Sequence, residues 1–435
     1  MITTDYNKAT ITPKELEDLR VIADVEISNI TLEDYPNLLV FPDSFSNYDR
    51  DLGKKFICKI EEGSSVLATN SIVGFIGRNN TYLSIHSRFT DSGKEDFFLH
   101  YMLQKITKVN LVNLHHSINE DSVFDFLLYL FPLHLKNAIS QGIFRQYITH
   151  KYNDANIRGV IDVNRHIKYN EPFNGSIAYT TREYSYDNYI TQLIRHTIEF
   201  IHKKGGEDIL NIDIDTKQAV SQIISATPSY ADNELHSIIN KNLTPLAHPF
   251  YGEYTSLQKL CLQILRHEEL KYGQEENEIY GVLVDAAWLW EEYLADLLKD
   301  KYRHYLKDSG KRFYLFKSQT HKQQIIPDYL SLDMTKIADA KYIPLDKKNS
   351  FQEDSSNATA IYYKTIAYMY RFNSKEGYLL YPHRNETVQY ERKEIDGDIG
   401  GNITKLGLKI PTGCSDYNEF SKRICEEECR FYNLL

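Results

Sequence analysis

The pattern of apolar and polar positions divides the chain into three regions. Residues 1–95 are short runs rich in Val, Ile, Thr, Tyr and Ser, broken by turn residues, which is a β pattern. Within them Ile72 to Arg78 (IVGFIGR) and Thr81 to His86 (TYLSIH), on either side of Asn79-Asn80, predict a hairpin. Residues 95–107 (EDFFLHYMLQKIT) then predict a helix. In the middle region, SVFDFLLYLFPLHLKNAI reads as a core helix interrupted by Pro132. Asp187 is placed to cap a helix running to about Lys204 and ending at Gly205-Gly206. Residues 207–250 are mixed, residues 255–266 predict another helix, and the polar stretch 274–278 (QEENE) marks a boundary.

After that boundary, residues 281–300 (GVLVDAAWLWEEYLADLLKD) predict an amphipathic helix. Leu283, Ala287, Trp290, Leu294 and Leu297 form its stripe, with Glu291 on the edge and Glu292 pointing well away. Strands are expected at 312–318, 325–332 and 337–343, a helix at 359–371 and a strand at 377–383. The Gly-rich segment 385–410 reads as a loop or exposed hairpin, and 416–432 as a final helix. The expected architecture is a multi-domain α+β chain. It has a β-rich region at 1–110, a mostly helical one at 111–275 and an α/β core at 276–435. Carboxylates lie near strand ends in that core, where open sheets place their sites.

Composition changes this picture little. A chain of 435 residues with 42% hydrophobic and 25% charged residues has ample core. No apolar run approaches the roughly 20 residues that span a bilayer, and no signal peptide is evident, so a cytoplasmic protein without membrane partners is expected. Five cysteines, an odd number, fit a reducing compartment. A net charge of −10 argues against a surface that binds DNA throughout, although 299–322 carries a local basic run.

Candidate chemistry concentrates at 326–342 (IPDYLSLDMTKIADAKY). Two β-prone runs flank Asp333 to Lys336, and alternation puts Asp339 and Lys341 on one face of the second. A turn centred on Met334-Thr335 places Asp328 nearly opposite Lys341. Two such carboxylates can share a hard divalent cation such as Mg²⁺, and a neighbouring Lys can polarise a water or a phosphate oxygen. A surface hairpin with a salt-bridged pair has the same pattern. There is no GxxxxGK[ST] loop, so the chain is not expected to hydrolyse nucleotides itself, and no GxSxG elbow. Cys261 with Cys414, Cys425 and Cys429 matches the count for an iron–sulfur cluster but not its tight spacing, so none is expected.

Ile-Pro-Asp328 and Asp339-Ala-Lys341 together resemble the PD-(D/E)xK nuclease signature. Trp290-Glu291-Glu292-Tyr293 is similar to the Phe-Glu-x-Phe/Tyr helix of McrC proteins, the nuclease subunits of McrBC-type, 5-methylcytosine-specific restriction systems. Residues 363–368 (YKTIAY) resemble that family's Tyr-Gln-x-x-Ala-Tyr helix, with Lys364 where Gln is usual. In the middle region, residues 158–165 and 184–195 resemble further McrC segments. The resemblance implies a Mg²⁺-dependent endonuclease subunit of a type IV-like restriction system, active in antiviral defence. Asp328, Asp339 and the Ala340 carbonyl would then hold the metal. Glu291 would assist, and Lys341 would orient the attacking water. It also implies a hexameric AAA+ GTPase partner, McrB, docked through the N-terminal region with the 72–86 hairpin as the candidate contact, and double-stranded DNA, modified or not, as substrate. Two other functions stay open: a docking module that activates the motor without cutting, and a stand-alone repair nuclease. Neither the DNA modification recognised nor the stoichiometry with the motor can be read from these residues.

Overall fold

The structure, a computed structural model, describes residues 1–23, 25–27, 37–41, 56–61, 64–79, 81–90, 96–107, 122–272, 279–304, 313–317, 323–343, 355–384, 390–397 and 400–435. It comprises two compact units, one formed by Met1–Val112 with Gly273–Leu435 and the other by Asn113–Tyr272.

Among the described residues the first unit contains three sheets. Strands β1 (Ile2–Thr4), β3 (Asn37–Phe41), β6 (Ile72–Arg78), β7 (Thr81–His86) and β11 (Ile279–Asp285) make a five-stranded sheet in the order β1-β7-β6-β11-β3. Strands β2 (Lys8–Thr10), β4 (Cys58–Ile60) and β5 (Val66–Thr69) make a small one in the order β2-β5-β4. Helix α1 (Pro13–Leu19) begins with a capping box between Thr12 and Glu15 and has Pro at its start, both good N-terminal signals.

The expected hairpin at 72–86 is present, but six of the seven residues of β6 are buried and the strand lies mid-sheet. β6 is therefore core, while β7 alternates between buried and half-buried positions. Its inner neighbour β11 occupies the start of the segment expected to be helical from residue 281. The helix begins only at Ala286, because Asp285 turns the chain and accepts the N–H of Ala287 at 3.0 Å. The Val-Leu-Val run before it has a β-branched residue at each end and pairs on both sides. Glycines allow the close approach of β6 and β11. A Cβ on Gly74 (φ +130°) would sit 2.2 Å from the Val282 carbonyl oxygen, and one on Gly281 would sit 2.3 Å from that of Phe75.

The third sheet is six-stranded. Its strands are β12 (Tyr302–Arg303), β13 (Tyr329–Ser331), β14 (Lys336–Ala340), β15 (Glu376–His383), β16 (Tyr390–Glu394) and β17 (Asn402–Lys409), in the order β12-β13-β14-β15-β17-β16. Strands β14, β15 and β17 are parallel. The stretch expected as a loop or exposed hairpin thus supplies a hairpin whose second strand is interior, with Ile403, Leu406 and Leu408 buried. The strand expected at 312–318 lies partly outside the described residues, and its described part forms an isolated bridge between Tyr314 and Gln324.

Besides α1, the described residues of this unit form α2 (Phe97–Thr107), α10 (Ala286–Leu298), α11 (Ser355–Phe372) and α12 (Tyr417–Asn433). Helix α10 is the pivot. Its Trp290 donates to the Leu380 carbonyl of β15 at 3.2 Å, and its Tyr293 hydroxyl donates to Glu428 of α12 at 2.6 Å. The loop after β7 is tied to the strand end at Tyr342. The Arg88 guanidinium lies between the rings of Tyr6, Phe89 and Tyr342, pairs with buried Asp5 and donates to the Tyr342 carbonyl.

The second unit holds α3 (Ser122–Ser140), with Pro132 inside it, then α4 (Val163–Asn170), α5 (Tyr189–Lys203), α6 (Glu207–Leu210), α7 (Ile214–Ala226), α8 (Leu235–Asn242) and α9 (Gly252–Tyr272). It also carries a sheet absent from the sequence reading, with β8 (Gln146–Asp154), β9 (Val160–Ile161) and β10 (Ile177–Ser185) in the order β8-β10-β9. The α5 cap is Asn188, which accepts the N–H groups of Ile190 and Thr191, rather than Asp187. Asp187 instead accepts the N–H of Ser229 at 2.9 Å.

Candidate active site

The site forms where β13 and β14 end beside α10 and α11. The turn between the strands is set by Asp333, whose carboxylate accepts from the Ser331 and Thr335 hydroxyls and the Thr335 N–H. Met334 takes a positive φ of 59° within it. Tyr329 therefore pairs with Ala338, and continuing that register puts Asp328 across from Asp339. The expected partner of Asp328 was Lys341. The tight turn is centred one residue earlier than the sequence suggests, which moves the pairing by two places. Alternation still keeps Asp328, Asp339 and Lys341 on one face.

Asp328 accepts the Ala340 N–H through Oδ2 at 2.8 Å. Asp339 is 1% exposed, and its two oxygens face two ammonium groups. Lys341 pairs with Oδ2, and Lys364 of α11 lies 3.6 Å from Oδ1. The Lys341 Nζ also donates to the Ala340 carbonyl at 3.2 Å. A cation thus already rests against two of the three oxygens expected to bind metal.

The two carboxyls are driven apart. Burial pushes Asp328 well above the ordinary carboxylate range, and the charges of Asp339 and Glu291 push it further, against the lysines. Burial also opposes ionisation of Asp339, but Lys341 and Lys364 overcome it and hold that carboxyl below its usual value. Two buried carboxyls facing each other, one kept ionised and the other reluctant to ionise, form a pair that a divalent cation would discharge. With the Ala340 carbonyl the donor set is all oxygen, which suits Mg²⁺.

Glu291 stands close enough to the cluster for its charge to act on Asp328. Its carboxylate is 2.8 Å from Nε2 of buried His304, which follows β12, and its backbone carbonyl accepts the Tyr329 hydroxyl. Sequence reasoning missed His304, which lies 13 residues from Glu291 with no motif linking the two. Glu292 does not point into solvent. It is 9% exposed and lines a cavity of about 650 Å³ with Lys105, Lys299, Arg303 and His304. The single-stripe reading fails because α10 is buried on two faces, one toward the sheets and one toward α2. Much of the basic run at 299–322 lies outside the described residues.

Of the four cysteines considered for a cluster, Cys261 is fully buried in α9, where burial pushes its thiol up to about 12. Cys425 and Cys429 are exposed on α12. Arg158 donates to the Tyr179 hydroxyl at 3.3 Å and Arg165 lies 3.8 Å from Asp162, both structural contacts. No helix among the described residues is long and apolar enough to cross a membrane.

No curated protein matches the sequence. Among solved structures, a refined half-complex from the tetradecameric assembly of Thermococcus gammatolerans McrB AAA+ hexamers with bound McrC matches with a TM-score of 0.50. The identity is 14%, and all of both chains is covered. A cryo-EM structure of the Thermococcus gammatolerans McrBC complex matches with a TM-score of 0.32 at 12% identity, over 69% of this chain and 87% of that one. The first likeness is one of fold. The family profile described as "McrBC 5-methylcytosine restriction system component" matches residues 67–382. That span runs from the N-terminal sheet through Glu291, Asp328, Asp339, Lys341 and Lys364, and the chain belongs to this McrBC restriction-system family.

Proposed function

We propose that the chain is the Mg²⁺-dependent DNA endonuclease subunit of a GTP-dependent, McrBC-like restriction system, cutting DNA delivered by a separate AAA+ GTPase. The observation that carries this reading is the facing pair Asp328 and Asp339, with Lys341 on both Asp339 and the Ala340 carbonyl. Asp328, Asp339 and the Ala340 carbonyl would hold the ion, which supplies Lewis acidity and an activated water. The remaining work falls to the chain's own groups. Once released from Asp339, Lys341 orients the attacking water and stabilises charge growing on the scissile phosphate. Glu291, steadied by His304, offers a further acceptor for a bound water. Lys364, half exposed beside Asp339, would add positive charge near the scissile phosphate.

The motor partner is supported by family membership and by the fold likeness to a complex of McrB AAA+ hexamers with bound McrC. Because β6 is buried mid-sheet, we assign the partner-facing surface to the small sheet of the second unit and its helix α4. There Tyr147, Val160, Ile161, Val163, Ile167 and Phe173 are all exposed. Exposed apolar side chains on these elements are the observation behind that assignment.

The test is a cleavage assay of the full chain alone, then with a McrB-type AAA+ GTPase, GTP and Mg²⁺. Cutting is expected only in the complete mixture, and Asp339→Ala should abolish it while leaving folding and assembly intact. Undiminished cutting by Asp339→Ala would sink the nuclease reading. Charge changes at Val160 and Phe173 should remove stimulation of the partner's GTP turnover, and full stimulation would refute the surface assignment.

A further inference from the structure

The two lysines at Asp339 are not equivalent. Lys341 covers Oδ2 and, at 3.2 Å, the Ala340 carbonyl. Lys364 approaches the other oxygen, Oδ1, at 3.6 Å. It arrives from α11 one turn before Tyr368, and its ammonium lies 5.4 Å from that ring's centre. Tyr368 is itself anchored, since its hydroxyl donates to the Ile326 carbonyl at 2.7 Å. Lys364 is therefore held in place by a fixed ring and a buried carboxylate, although its side chain is 50% exposed.

Phosphodiester hydrolysis can run on one divalent ion or on two that share a bridging carboxylate. In this site the bridging carboxylate would be Asp339. One ion entering between Asp328, Asp339 Oδ2 and the Ala340 carbonyl need only displace Lys341. A second, bound through Oδ1, would have to lie against the Lys364 ammonium. We propose that Lys364 is the built-in second cation of this site, so that each chain binds a single divalent ion and Lys364 provides the positive charge a second ion would bring. This rests on the nuclease reading above and assigns Lys364 a role in that same site. The expected consequence is a change in metal stoichiometry when its charge is removed, independent of any cleavage.

The experiment is calorimetric titration of the metal-free full chain with Ca²⁺, supported by Mn²⁺ titration followed by electron paramagnetic resonance. The wild-type chain should take up about one ion, and Lys364→Gln about two, with magnetic coupling between paired Mn²⁺ ions. Lys364→Arg, which keeps the charge, should return the count to about one. Two ions in the wild type, or one in Lys364→Gln, would overturn the proposal. Asp339→Asn serves as the separate control. If it binds metal as the wild type does, the metal-site reading itself is wrong; if it loses binding while Lys364→Gln keeps a single ion, only the role of Lys364 is wrong. Thermal melts in chelator establish that each variant is folded.

Discussion

Asp328 faces Asp339 across the hairpin, yet its Oδ2 is bound to the backbone N–H of Ala340 at 2.8 Å. The carboxyl thus has one fixed donor and a like-charged neighbour, and its buried position favours the protonated form. For an acid whose folded pKa is raised, the stabilising contribution is complete below the ordinary carboxylate range and lost as pH rises through the raised value. Asn at 328 stays neutral at every pH and its carbonyl oxygen can still accept from Ala340.

Asp328→Asn is accordingly expected to stabilise the first unit at neutral pH by about 1–2 kcal/mol while eliminating metal-dependent cleavage. Denaturant midpoints at pH 7 decide the point, and a clear loss of stability would contradict the account.

Asp96 gives a pH dependence away from the site. It accepts the N–H of Ser87 at 2.8 Å and that of Leu99 at 3.2 Å, so it joins the loop after β7 to the start of α2. Burial outweighs these bonds and pushes its carboxyl up to about 6. Its contribution to stability should fall by about 3 kcal/mol as pH rises from about 4 to about 6, and level off above that. Asp96→Asn should remove this component from urea melts taken across that range, whereas an unchanged pH profile would exclude it.

Arg88 predicts a larger effect. Alanine there would leave Asp5 buried without its guanidinium partner and would free the Tyr342 carbonyl. Loss of about 3–5 kcal/mol is expected by chemical denaturation. Because Tyr342 directly follows Lys341, metal affinity measured on the surviving folded fraction should also fall.

Gly281→Ala tests the seam between β6 and β11. The added methyl would meet the Phe75 carbonyl oxygen at 2.3 Å, and backbone on both sides cannot yield cheaply. Destabilisation of about 3 kcal/mol or more is expected, measured by thermal melting. Alanine at the open-sided Gly397 is the control for the methyl group itself, with its own positive φ of 122° kept in view.

The local parts of the site were legible in the sequence, and the long-range parts were not. Alternation alone puts Asp339 and Lys341 on one face, helical spacing puts Glu291 on the edge of its apolar stripe, and Lys364 stands out only through the resemblance. The partner of Asp328 was misplaced because the conformation of Met334, which sets the register, has no signature in residue type. Strand β11 was taken into a helix because a short apolar run fits both periods, and only its pairing with β6 and β3 decides between them. His304 and Arg88 act through contacts between distant segments, which no spacing rule reports. The interior position of β17 was visible only as the apolar alternation of Ile403, Leu406 and Leu408, hidden by the glycines before it.

The strand order β1-β7-β6-β11-β3 also constrains how the protein can be made. Strand β3 pairs with β11 alone in this sheet, and β11 follows the whole of Asn113–Tyr272. On a ribosome, β3 and one edge of β6 emerge early and must wait, unpaired, while the intervening unit is synthesised. Exposed strand edges invite wrong partners. Birth of this protein therefore includes an interval in which a half-built sheet stands open to wrong partners. Only after residue 285 leaves the exit tunnel can that sheet close and the helix bearing Glu291 find its seat.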